Sequence, residues 1–170
     1  MNTLRGAPEP RTDAPTVHTL VEEVTSLLAS ARASEAPRRE ARDLTAAVLD
    51  MPRLWPALHL ADHVHPDAAA AVRRAAQRRA TGAPFAYAVG SAAFRHLMLR
   101  VDERVLIPRQ ETELLVETVL ERTRCHGGVG IDIGTGSGAI ALALAQEGRF
   151  DRVLIFSSTA ILFMNPFYPT

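Results

Sequence analysis

Lysine is absent from this chain of 170 residues, and all nineteen basic residues are arginine. Without a lysine amine no side chain can form a Schiff base with a carbonyl substrate, and a lysine general base is excluded. Neither sign of charge is in excess: nineteen acids balance the arginines to a formal net charge of +0. That argues against a global field for nucleic acid or a membrane surface and leaves only local patches. The single cysteine, Cys125, has no internal disulfide partner and fits a reducing cytoplasm. Long apolar runs are missing as well. Residues 153–164 come nearest, but Ser157, Ser158 and Thr159 interrupt them, and they fall well short of the roughly 20 residues a spanning helix needs. Residues 1–15, with three prolines, mixed charge and no apolar core, read as a tail and not as a signal peptide. What is present is a globular composition, 47% hydrophobic, enough to bury a core.

The first half of the chain has a helical period. Val17, Leu20, Val21, Val24, Leu27 and Leu28 recur behind Thr16, which predicts a helix over 16–31 capped by Thr16. Ser34 reads as the cap of a second helix with Pro37 near its start, Ala41, Leu44, Val48 and Leu49 as its stripe, and Pro52 as its stop. A short segment over 54–60 carries Trp55. Pro66 opens a fourth helix with Ala69, Val72 and Ala76 inward, ended by Thr81-Gly82-Ala83-Pro84. These make a small bundle over 16–84.

From Phe85 the period changes. Phe85, Tyr87 and Val89 alternate up to Gly90, and Phe94 to Val101 reads as a second extended run, so a hairpin linker is expected over 85–107. A helix follows with Leu114, Leu115, Val119 and Leu120 inward and Glu111, Glu113 and Glu117 outward. Then come a strand at 129–133, a glycine turn, a helix over 139–146 and a parallel strand at 152–156. The expected fold class is α/β: a helical bundle, a hairpin linker, and over 108–170 the start of a Rossmann-like domain.

The glycine turn carries the chemistry. An apolar strand that stops at Gly134, turns through Gly136 and Gly138 and restarts as a helix lets a ligand lie against bare backbone at a helix N-terminus. Gly134-x-Gly136-x-x-Ala139 also fits the dinucleotide fingerprint in its Gly-to-Ala form. Asp132 weighs against that reading, because a carboxylate beside a pyrophosphate repels it. Beside a sulfonium and an amino group it attracts, which favours S-adenosylmethionine. A nicotinamide dinucleotide, or a turn that serves only close helix packing, remain the other readings.

Three blocks taken together, Arg79-x-x-Gly82-x-Pro84-x-x-Tyr87-x-x-Gly90-x-x-x-Phe94, Leu106-Ile107-Pro108-Arg109-x-Glu111-Thr112-Glu113, and Ile131-Asp132-Ile133-Gly134-Thr135-Gly136-Ser137-Gly138-Ala139-Ile140-Ala141, resemble the release factor glutamine methyltransferases of the PrmC/HemK type. The resemblance covers about residues 41–153. It implies a helical domain that recognises a peptide chain release factor, a hairpin linker, and a methyltransferase domain using S-adenosylmethionine. The implied substrate is the glutamine of a Gly-Gly-Gln tripeptide. Its amide nitrogen is a poor nucleophile, so both amide hydrogens must be gripped and the nitrogen aimed at the methyl carbon. The implied cofactor residues are Asp132, Ile133, Gly134, Thr135, Gly136 and Gly138, with Ser157 where the family carries an acid for the ribose hydroxyls. Asn165, Pro166 and Tyr168, in Asn165-Pro166-Phe167-Tyr168, resemble the family's Asn-Pro-Pro-Tyr motif, whose Asn oxygen and a backbone carbonyl take the amide hydrogens.

Only thirteen residues follow Ser157, and a βαβ crossover alone takes roughly 30. The expectation is therefore an ending altered after about residue 153, by an unrelated tail or by an internal deletion, with activity impaired and apolar edges such as 153–156 exposed. A non-catalytic module that binds release factor is the alternative. Arg73, Arg74, Arg78 and Arg79 read as a solvated helix face. His59, His63 and His65 read as loop histidines with no third ligand for a metal. Phe94 and Tyr87 read as packing residues, and Glu111 and Glu113 as favourable charges at a helix start. No metal, no direct nucleic-acid contact and no membrane association are expected.

Overall fold

The computed structural model describes residues 14–123 and 127–157 and the backbone of 161–164. They form two units that divide between Val89 and Gly90.

The first unit is helical: α1 Val17–Ser30, α2 Pro37–Val48, α3 Trp55–Leu58, α4 Pro66–Ala80 and α5 Phe85–Val89. Thr16 caps α1 as expected, its hydroxyl accepting from the Thr19 amide at 3.2 Å. Two more of the amides that a helix start leaves without intrahelical partners are met by a distant loop. Val17 N–H donates to the Asp62 carbonyl at 2.9 Å and His18 N–H to that of Leu60 at 3.0 Å. Val17, Leu20, Val21, Val24 and Leu28 of α1 are buried with Ala41 and Leu44 of α2 and Ala69, Val72 and Ala76 of α4. Leu27, Val48 and Leu49 lie at the margin of this core. Gly82, at a φ of +101°, ends α4, with Gly82 and Ala83 N–H returning to the Arg79 and Arg78 carbonyls.

Two expectations for this unit are corrected. Ser34 is not the cap of α2. The cap position is Ala36, which has no side-chain acceptor, while the Ser34 hydroxyl accepts from Ala36 N–H at 3.2 Å and turns the chain toward Pro37. The stretch from Phe85 to Val89 is a helix and not a strand. Phe85 and Val89 pack on the core and Ala88 is buried, a spacing of i, i+3, i+4. Alternation and helical spacing share Phe85 and Val89, so a five-residue segment fits both.

The second unit is mixed α/β: β1 Ser91–Phe94, β2 Leu97–Arg100, α6 Gln110–Arg122, β3 Val129–Ile133, α7 Ala139–Glu147, β4 Arg152–Phe156 and β5 Ile161–Met164. β1 and β2 pair antiparallel, Phe94 opposite Leu97. The run expected to be continuous from Phe94 to Val101 is thus broken by a two-residue turn, Arg95-His96, with Arg95 at a φ of 52°. β3 and β4 are parallel, as expected, with Ile131 opposite Leu154. β5 returns antiparallel along β4, giving the order β3-β4-β5. Arg152–Phe156 is consequently the middle strand and not an exposed edge: Val153 is fully buried and Ile155 nearly so.

Helix α6 also differs from expectation. Val116 is its buried residue, whereas Leu114 and Leu115 are 67% and 53% exposed. The helix packs on α7. On β3, Gly130 and Asp132 face inward while Val129, Ile131 and Ile133 stand exposed on the opposite face.

Candidate cofactor site

The strand, turn and helix at 129–147 arise from sequence in a direct way. β3 alternates, which sends Asp132 to the same buried side as Gly130. The turn then requires the left-handed region at three places, with φ of +77° at Gly134, +55° at Gly136 and +79° at Gly138, and only glycine adopts such angles without strain. A Cβ placed on Gly134 or Gly136 would meet nothing within 4 Å. These glycines therefore serve dihedral freedom and bare backbone toward open space, not tight internal packing.

Asp132 is 8% exposed, and one of its oxygens does two things. Oδ2 accepts from the Thr135 hydroxyl at 2.8 Å and from the Ala141 amide at 3.2 Å. Ala141 is the third residue of α7, and Gly138 at the cap position offers no side-chain bond. The carboxylate from β3 thus takes an amide that the helix's own cap residue leaves unmet.

The end of β4 is joined to the same turn. Gly134 N–H donates to the Phe156 carbonyl at 2.8 Å, so Ser157, the next residue and an exposed one, follows directly from the strand end that borders the turn. Ile133 is 81% exposed at the end of β3. The structure thus gathers Asp132, Ile133, Gly134, Thr135, Gly136 and Gly138 into one turn with Ser157 beside it. Asn165, Pro166 and Tyr168 lie outside the described residues.

The remaining candidates have local partners. Glu113 meets the hairpin: its Oε1 accepts from Arg95 N–H at 3.0 Å, and its backbone carbonyl accepts from Arg95 Nη1 at 3.1 Å. Arg73 forms a forked pair with Glu23, and Arg79 bonds Glu40. His59 stacks on Trp55 with ring centroids 4.9 Å apart and bonds Asp62 through Nδ1. His63 bonds the Ala14 carbonyl, and His65 caps α4 by accepting from Asp67 N–H. Phe94 is buried. Sequence reasoning missed Arg95, Glu147 and Gly148. A cationic residue between two short apolar runs gave no turn signal, since hairpin turns of this length usually announce themselves with Asn-Gly or Asp-Gly.

The chain has a helical unit followed in sequence by a hairpin and a mixed α/β unit with a glycine turn at a helix start. Residues 19–90 match the PrmC N-terminal domain, a stretch that begins within α1 and ends beside the division. The chain is 46% identical over 84 residues to a release factor glutamine methyltransferase of Bordetella pertussis, covering 49% of this chain and 31% of that protein. It is 44% identical over 90 residues to one of Moorella thermoacetica, covering 52% and 31%. It is 38% identical over 138 residues to one of Mycolicibacterium smegmatis, covering 81% and 48%. Over these stretches the chain is similar to release factor glutamine methyltransferases, and the matches span between 31% and 48% of those proteins' own lengths. Among the described residues no helix is long and apolar enough to cross a membrane.

Proposed function

We propose that this chain serves an S-adenosylmethionine-dependent methyl transfer, in the cytoplasm, to the side-chain amide nitrogen of the glutamine in the Gly-Gly-Gln tripeptide of peptide chain release factors. The observation that carries the cofactor part is the open turn: three left-handed glycines, two with no neighbour where a Cβ would stand, above a buried carboxylate. That donor set fits a ligand that is cationic and lacks phosphate. A dinucleotide would bring its pyrophosphate toward Asp132. When bound, S-adenosylmethionine supplies an electrophilic methyl group. This chain's residues bind and orient: Gly134, Gly136 and Gly138 present bare backbone, Asp132 supplies negative charge beside it, and Ser157 would offer a neutral hydroxyl to the ribose. Asn165, Pro166 and Tyr168 are assigned the amide grip, and that assignment rests on the sequence motif alone.

The division of labour follows the same reading. The helical part takes the release factor, the residues up to 107 link, and those from 108 carry the cofactor. Support comes from the match of residues 19–90 to the PrmC N-terminal domain and from the names of the relatives. Calorimetric titration with S-adenosylmethionine and, separately, NADH tests the cofactor, and incubation with a release factor and methyl-labelled cofactor tests the reaction. Heat with the first ligand and label on the release factor are expected. Heat with NADH alone would sink the proposal.

A further inference from the structure

We infer that Asp132 is a positioning residue, whose carboxylate holds the glycine turn and the first turn of α7 in the shape a cofactor meets, acting through Thr135 and the Ala141 amide. The inference rests on the cofactor reading above and adds a role beyond the attraction of positive charge.

Gly134, Gly136 and Gly138, all at positive φ, leave this turn with more backbone freedom than residues carrying a Cβ would. Ordering it on binding would lower affinity unless the order exists beforehand. Two bonds supply that order, and both end on the same atom. The Thr135 hydroxyl, between two left-handed glycines, is tied at 2.8 Å to Asp132 Oδ2, which fixes the middle of the turn to the strand below. The Ala141 amide, tied at 3.2 Å to that oxygen, fixes the helix start nine residues along the chain. Gly138 N–H closes the loop on the Thr135 carbonyl at 2.9 Å. With Asp132 almost wholly buried, water competes poorly for these bonds. The cap that Gly138 cannot provide is provided from β3, which lets the cap position stay free of a side chain where a ligand approaches.

Charge attraction and positioning make different predictions. Asp132→Asn keeps an acceptor oxygen and removes the charge, whereas Asp132→Ala removes both, and Thr135→Val removes one bond while leaving the carboxylate. S-adenosylhomocysteine lacks the sulfonium charge but keeps the amino group, and serves as the second probe, of lower positive charge, beside S-adenosylmethionine. Positioning predicts that Asp132→Ala weakens both ligands by about tenfold or more, a shift well within calorimetric range. Asp132→Asn should stay within about threefold of the parent for S-adenosylhomocysteine, and Thr135→Val should fall between. Amide exchange provides a readout without ligand: Ala141 should be protected in the parent and in Asp132→Asn, and exchange faster in Asp132→Ala. Should Asp132→Ala fold poorly, Thr135→Val alone carries the test by its effect on both ligands. Equal affinities in the parent and Thr135→Val, or Asp132→Asn falling as far as Asp132→Ala both for S-adenosylhomocysteine and in Ala141 exchange, overturn the inference and leave the cofactor reading standing. A parent that binds neither compound removes that reading and the inference with it.

Discussion

Arg95 and Glu147 are joined by two parallel bonds, Nε to Oε1 at 2.8 Å and Nη2 to Oε2 at 2.7 Å, with both side chains 15% exposed. The residue that makes this fork sits in the left-handed region at the tip of a two-residue turn, where a side chain costs roughly 1–2 kcal/mol. Its own amide and Nη1 reach Glu113. One arginine thus ties the hairpin to the start of α6 and the end of α7, and these bonds offset the strain of its backbone.

Glu147→Gln should destabilise the protein at neutral pH by about 1.5–3 kcal/mol, the range for a hydrogen bond to a charged group. The hydrogen bond from Arg95 holds the Glu147 carboxyl below its ordinary value, opposed by burial and helped by the charges of Arg95 and His96. A depressed folded value means that this stability is present above the ordinary glutamate range and is lost as pH falls through the folded value. Thermal melts at descending pH should show the parent losing its advantage over Glu147→Gln in acid. A constant gap across that range would refute the linkage.

Gly148→Ala should destabilise by contact and not by dihedral. Gly148 lies at a φ of −86°, which any residue adopts, but an added Cβ would stand 2.5 Å from the Leu144 carbonyl oxygen and 2.6 Å from the Phe150 ring. The oxygen belongs to helix backbone and cannot swing aside, so a loss of about 1–3 kcal/mol is expected by denaturant titration. A neutral result would show that the end of α7 relaxes freely.

Leu20→Ala and Leu58→Ala should separate cleanly. Leu20 is fully buried in the helical core and Leu58 is 77% exposed beside it. The first should cost about 2–5 kcal/mol by urea unfolding, and the second less than about 0.5 kcal/mol. Similar losses at both positions would mean that α3 is covered in solution.

Arg79→Lys should not be conservative. The guanidinium serves the Glu40 carboxylate and the Ala33 and Ala83 carbonyls at once, and a single ammonium cannot spread over three acceptors from three parts of the chain. A loss of about 1–3 kcal/mol is expected in thermal or chemical melts. Retention of full stability would show that the fork is replaceable.

The helical unit was legible because each of its long helices shows more than two turns of a single period, and because Thr16, Pro66 and Gly82 mark its ends. Segments of four or five residues were not. Between Phe85 and Val89 two periods coincide, and between Phe94 and Leu97 an arginine occupies a conformation that sequence statistics reserve for glycine or asparagine. Leu114 and Leu115 follow a helical stripe, yet they stand exposed and the buried residue of α6 is Val116. Asp132 was visible as an acid before a glycine turn, but its bonds to Thr135 and Ala141 were not, since strand alternation gives the face on which Asp132 lies and not which groups of the returning turn and helix meet it.

The sequence by itself determined the periods, the helix ends and the three glycines that let the backbone turn, because these depend on residues close in the chain. Tertiary structure alone decided that β4 lies between two strands, that Arg95 is held by Glu113 and Glu147, and that one oxygen of Asp132 caps α7. Those outcomes depend on groups brought together from 18 and 52 residues apart, and from 9 across the turn. Such meetings are set by packing and by the need of buried polar atoms for partners, and no local pattern encodes them.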